Sequence, residues 1–160
     1  MQEVKVRLKI GNTRYIGIIE YPGHYRRFSD FLNNGQDLLK VLKPESIGGI
    51  NNHSILLVNK ENIDYLHSVE EEYTKPPFSA KGGFFKATLK MKKDETIKGL
   101  IFCSYEETDY LMEGVLKETG YFIKLQNPII IDTSEKYKFL AVGKSNILTL
   151  EIDPSPKLNK

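Results

Sequence analysis

The pattern of this 160-residue chain is written twice. VRLKI at Val6 is matched by ATLKM at Ala87, and YIGII at Tyr15 by IKGLI at Ile97. SDFLNNG at Ser29 answers to TDYLMEG at Thr108, and LLKVLKP at Leu38 to FIKLQNP at Phe122. VNKENI at Val58 is matched by VGKSNI at Val142. The five blocks keep their order at offsets between 79 and 84 residues, so the chain is a tandem duplication and holds one architecture twice. The join falls in EEEYTKPPFSAKGG, where charge, a proline pair and a glycine pair mark a linker. The expected organisation is a first repeat over residues 1–69, a linker over 70–83, a second repeat over 84–153 and a C-terminal tail over 154–160. Repeats this small bury a limited core, so the two are expected to pack together.

Within a repeat the hydrophobic period is two. Val4, Val6, Leu8 and Ile10 alternate with Lys5, Arg7 and Lys9, which predicts a half-buried strand. A Gly-Asn turn at Gly11 leads into RYIGIIEY, a β-branched second strand whose Gly17, matched by Gly99, marks a bulge or sharp bend. A short helix follows, with Ser29 and Asp30 as caps at its start and Gly35 ending it in a left-handed turn. Thr108, Asp109 and Gly114 take the same positions in the second repeat. A third strand runs from Leu38 and stops near Pro44, and SILLV and NIDYL form two more around a tight NKE turn. The expected fold is mainly β: two tandem five-stranded small barrels, each with a short helix after the second strand.

VRLKIGNTRYIGII resembles the first signature of Sm-like proteins, and VNKENI and VGKSNI resemble the second, an Ile-Arg-Gly-x-Asn-Val hairpin between the last two strands. The resemblance spans most of both repeats. It implies small Sm-like barrels, puts Asn62 and Asn146 at the family's asparagine position, and implies association through barrel edges. The departures fall on the RNA site. The base-reading Asp-x-x-Met-Asn loop is absent, the longer YPGHYRRFSDFLNNG stands in its place, and Arg-Gly becomes Asn59-Lys60 and Gly143-Lys144. The insertion is also similar to small bacterial proteins that share an R-x-S-D-F-L-N segment, a likeness that implies no activity.

Composition narrows the function classes. A net charge of +2 gives no global field for a polyanion, and a single cysteine excludes an intramolecular disulfide. The start lacks a secretory apolar region, and runs such as GLIFC fall well short of the roughly 20 residues that span a bilayer, so a cytoplasmic, bacterial protein without a membrane partner is expected. His24, His53 and His67 have no metal-ligand spacing, Cys103 continues an apolar strand, and GKS at Gly143 lacks the earlier glycine of a phosphate loop. Neither metal, cofactor nor catalytic residue is expected. The binding candidates are the basic, unshared Tyr25, Arg26 and Arg27 and the hairpin residues Lys60, Asn62, Lys144 and Asn146, with the lysines expected to be exposed. The expected function is a non-enzymatic protein-interaction scaffold, pairing with another protein or itself through barrel edges. The alternative is an Sm-like protein binding RNA or single-stranded nucleic acid.

Overall fold

The computed structural model describes residues 1–46, 49–50, 55–69, 82–104 and 120–153. Most of the linker, the C-terminal tail, and Thr108, Asp109 and Gly114 with the second expected helix lie outside the described residues. The chain is mainly β and divides into two compact units. The first comprises Met1–Glu72 together with Gly120–Ile123 and Ala141–Asn146, so it takes in two pieces of the second repeat. The remaining residues make the second unit.

In the first unit β1 (Gln2–Ile10) and β2 (Thr13–Tyr21) form a nine-pair antiparallel hairpin. It turns at Gly11, whose φ of 59° suits a residue without Cβ. A short α1 (Phe28–Leu32) precedes β3 (Leu38–Ser46), and β4 (Gly49–Ile50) and β5 (Ile55–Asn59) both pair with β3. A 3-10 turn over Lys60–Asn62 leads to β6 (Tyr65–Ser68), which pairs with β1. Val6, Leu8, Ile19, Leu39, Val41, Ile63 and Leu66 are the buried aliphatics that the alternation points inward.

In the second unit β7 (Gly82–Met91) and β8 (Thr96–Ser104) form the corresponding hairpin, starting inside the span read as linker. The second repeat continues with β9 (Phe122–Ile130), β10 (Glu135–Lys136), β11 (Phe139–Gly143), a 3-10 turn over Lys144–Asn146 and β12 (Ile147–Ile152), of which Phe122, Ile123 and Ala141–Asn146 belong to the first unit. Phe85, Leu89, Ile97, Leu125, Ile130 and Leu140 fill the core of the second unit.

Each repeat has the same strand order: fifth, first, second, third, fourth. It reads β6–β1–β2–β3–β5 and then β12–β7–β8–β9–β11. The sheet is open. Among the described residues no ladder joins β5 to β6, so pairing does not close the expected barrel.

The third strand does not stop at proline as expected. Between Ile16↔Glu45 and Ile18↔Leu42, the single residue Gly17 faces two, Lys43 and Pro44. Gly99 likewise faces Asn127 and Pro128. A bulge is one place where a strand tolerates a residue without an amide proton. Lys43 and Asn127, each just before the proline, both have φ of 48°.

Candidate functional site

The insertion after β2 folds around aromatic side chains. Tyr21 stacks on Phe28 and Phe31 at 5.5 Å each, Tyr25 meets Phe31 edge-on at 5.4 Å, and His24 lies 4.4 Å from Tyr25. This cluster anchors α1. The residue at its N-cap is Arg27, not Ser29, and no side chain caps the helix. Ser29 sits inside the first turn, buried, with its hydroxyl unpaired. Asp30 instead takes a two-point ion pair from Arg27 Nε and Nη2, at 3.0 and 3.1 Å. Partly exposed pairs of this kind contribute less than about 1 kcal/mol. Asn33 is the C-cap, and Gly35 has no left-handed φ. The N-cap thus stands two residues before Ser29, where the aromatic cluster rather than a hydroxyl fixes the helix start.

The loop after α1 meets the Lys60 turn. Asn34 Oδ1 accepts from the Gln36 amide at 2.9 Å, closing an Asx turn. The Lys60 amide donates to the Asp37 carbonyl at 2.9 Å, which draws the lysine into the loop. Its Nζ donates to Asn34 Oδ1 at 2.9 Å and to the Asn34 carbonyl at 3.2 Å, and stands 5.0 Å from the centre of the Tyr121 ring. Tyr121 donates its hydroxyl to Asp37. Lys60 is therefore only 1% exposed, against the expectation of a solvated hairpin lysine. Burial lowers its pKa from 10.5 to about 8, with Asp37 pulling the other way. The hydrogen bond to Asp37 raises the Tyr121 phenol above its usual range.

Gly120–Phe122 is clamped to the same loop. Asn33 Oδ1 accepts from the Phe122 amide at 2.9 Å while its Nδ2 donates to the Phe122 carbonyl at 3.2 Å, pairing as a strand residue would. A Cβ at residue 120 would overlap the Asn33 side chain, so glycine is required there. Asn146 Nδ2 donates to the Ile63 carbonyl at 2.8 Å and to the Glu61 carbonyl at 3.1 Å, so one motif asparagine braces the other repeat's turn. Asn62 is exposed, and Lys144 is half-buried with its amide on the Tyr121 carbonyl at 2.9 Å.

The predicted residues thus separate. Lys60, Lys144 and Asn146 belong to a structural knot that also holds Asn33, Asn34, Asp37, Gly120 and Tyr121. Tyr25 and Arg27 belong to the aromatic cluster and its ion pair, and Arg26 is exposed beside them. The knot could not be found from local pattern, because the side-chain hydrogen bonds that join its separate segments span 26 to 89 residues. Among the described residues no group of His, Cys, Asp and Glu is placed to hold a metal ion, and no helix is long and apolar enough to cross a membrane.

The strand edges differ in burial. Ala141 and Val142 of β11 pair with Leu66 and Tyr65 of β6, and all four are buried. The strands at the same repeat positions are β5 and β12. There Ile55 and Leu57 are each 60% exposed and Leu148 is 66% exposed. Among the described residues, β5 pairs only with β3, and β12 only with β7. No family model, curated protein or solved structure matches the chain.

Proposed function

We propose that this chain is a non-enzymatic protein-interaction module, a duplicated Sm-like unit whose open strand edges take a strand from another copy. The observation that carries the reading is the β11–β6 ladder. It supplies, within one chain, a pairing whose counterparts β5 and β12 carry exposed aliphatics and, among the described residues, pair on one side only. Shifting Ala141↔Leu66 by one repeat gives Leu57 opposite Leu150 of a second copy, and Val142↔Tyr65 gives Val58 opposite Thr149. Strand addition of this kind draws affinity from main-chain hydrogen bonds and specificity from alternate side chains.

The burial of Lys60 and the use of Asn146 on backbone carbonyls weigh against the alternative, RNA binding at the hairpins. Light scattering during size-exclusion chromatography tests the assembly. The wild type should run as a multiple of the 18.4 kDa chain. Leu57→Glu, which places a charge on an already exposed position, should run as the single chain with an unchanged circular dichroism spectrum. A wild type that stays monomeric at high concentration overturns the reading.

A further inference from the structure

Asn34 and Gly35 are the one Asn-Gly pair in the chain. They lie in the loop after α1, with Asn34 half-buried and Gly35 and Gln36 exposed. A glycine after asparagine leaves the following amide nitrogen unscreened by any Cβ and the backbone free to turn. A Cβ placed on Gly35 would meet nothing within 4 Å, so the loop is open on that side. Asn34 Oδ1 accepts from the Gln36 amide and from Lys60 Nζ, at 2.9 Å each, and the Asn34 main-chain carbonyl accepts from Lys60 Nζ at 3.2 Å. One ammonium therefore touches both carbonyl groups that flank the Gly35 nitrogen in the five-membered ring this pair can close. On Oδ1 it stabilises the negative charge that develops when Cγ is attacked. On the main-chain oxygen it draws electrons from the peptide group whose Gly35 N–H must release its proton. Among the described residues Asn34 Nδ2 has no hydrogen-bond partner, so nothing holds the group that would leave.

We propose that Asn34 is a self-modification site, at which the Gly35 amide nitrogen displaces ammonia from the Asn34 side chain with Lys60 as the stabilising cation, and water then opens the cyclic imide to a carboxylate. The bond from the Gly35 nitrogen to Cγ forms as the Gly35 N–H gives its proton to solvent. The Cγ–Nδ2 bond breaks, and Nδ2 departs as ammonia with a proton taken from solvent. The sum exchanges water for ammonia, with no oxidation or reduction. Opening at Cγ gives aspartate in a normal chain, and opening at the main-chain carbonyl gives isoaspartate, with the chain running through Cγ. The Asx turn keeps Cγ and the Gly35 nitrogen inside one hydrogen-bonded ring, which holds the reacting groups together. Aspartate retains both acceptor contacts of Oδ1 and turns the Lys60 contact into a charge-assisted one. The modification therefore acts on the knot that clamps Gly120–Phe122 to the first repeat. It is independent of assembly, because it uses neither the β5 nor the β12 edge.

Incubation of the folded chain at neutral pH and physiological temperature, followed by tryptic digestion and tandem mass spectrometry, tests it. The tryptic peptide Phe28–Lys40 carries both Asn33 and Asn34. Asn33, held at its oxygen and its nitrogen by the Phe122 main chain, is the internal control. Asn34 should gain the mass of an amide-to-acid exchange, and Asn33 should not. Conversion should be faster in the folded chain than in the free peptide Phe28–Lys40. It should be lost in Gly35→Ala and fall to the free-peptide rate or below in Lys60→Met. Gly35→Ala adds a methyl group to open space at a residue without a left-handed φ, so that variant keeps the fold, as circular dichroism should confirm. A folded chain that converts no faster than the free peptide overturns the proposal, and this comparison needs no variant. Conversion of Lys60→Met at the wild-type rate overturns it as well. Asn34→Asp, the product made directly, should melt no lower than the wild type, and a lower melting temperature overturns the capture of the new carboxylate by Lys60.

Discussion

Lys60 is the residue whose role depends most on where the fold puts it. Its ammonium is out of bulk water, held by two oxygens of Asn34 and the face of Tyr121. Between about pH 8 and 10.5 the unfolded chain holds a proton that the folded chain has released, so raising the pH through this window favours the fold. Above about pH 10 Tyr121 acts in reverse, since the folded phenol keeps a proton that the unfolded one gives up. Denaturant titrations at pH 7.5 and 9.5 should therefore show a gain on the order of 1–2 kcal/mol in the wild type. Lys60→Met keeps the stem of the side chain and should lose that gain. An identical rise in both proteins would assign it to another group. The sequence offered no sign of this role. Lys60 and Lys144 look alike in their hairpins, and only the Asn34 loop, reached through the fold, buries one of them. Ser29 and Asp30 misled for a related reason: their cap-like spelling was local, while the aromatic cluster that sets the helix start draws on Tyr21 as well.

At the scale of elements, the paired bulges set the path of the sheet. A Cβ on Gly17 would overlap Val41 Cγ1 and stand 3.0 Å from the Leu42 carbonyl oxygen, so the third strand passes too close for any side chain. Gly99 is less confined, its nearest neighbours at 3.3 Å. Gly17→Ala should therefore destabilise by about 1–3 kcal/mol, the usual cost of overpacking, and Gly99→Ala by less. Chemical denaturation of the two variants measures the difference, and equal losses would show that the overlap at Gly17 is relieved by Val41 alone. This part of the fold was legible. A glycine repeated at the same place in two β-branched strands has few other uses, and alternation with inward Val6 and Leu8 fixed which face is buried. The passage of β3 through Pro44 was not legible, because proline normally ends a strand unless a bulge removes its need for an amide proton.

At the scale of the whole molecule, duplication has an asymmetric result. One fourth strand and one fifth strand meet inside the chain as β11 and β6, while among the described residues β5 and β12 are paired on one side only. The repeat made this asymmetry foreseeable, but not which residues would face one another, since register is fixed by pairing and not by spelling. That register allows a direct test. If a second copy adds its β12 to β5 as β11 adds to β6, residues 57 and 150 of different copies lie directly opposite. Their Cα atoms would then be about 4.5–5.5 Å apart, within the range a disulfide spans. In a Cys103→Ala background, Leu57→Cys chains mixed with Leu150→Cys chains should cross-link on mild oxidation and give a dimer on non-reducing gels. Neither variant alone should do so, because the interface joins unlike edges. Leu57→Cys mixed with Glu151→Cys should also fail, as a one-residue slip sends the second thiol to the opposite face of the sheet. Cross-linking of Leu57→Cys with itself would instead indicate two β5 edges meeting about a twofold axis, and would replace the unlike-edge arrangement with a closed dimer.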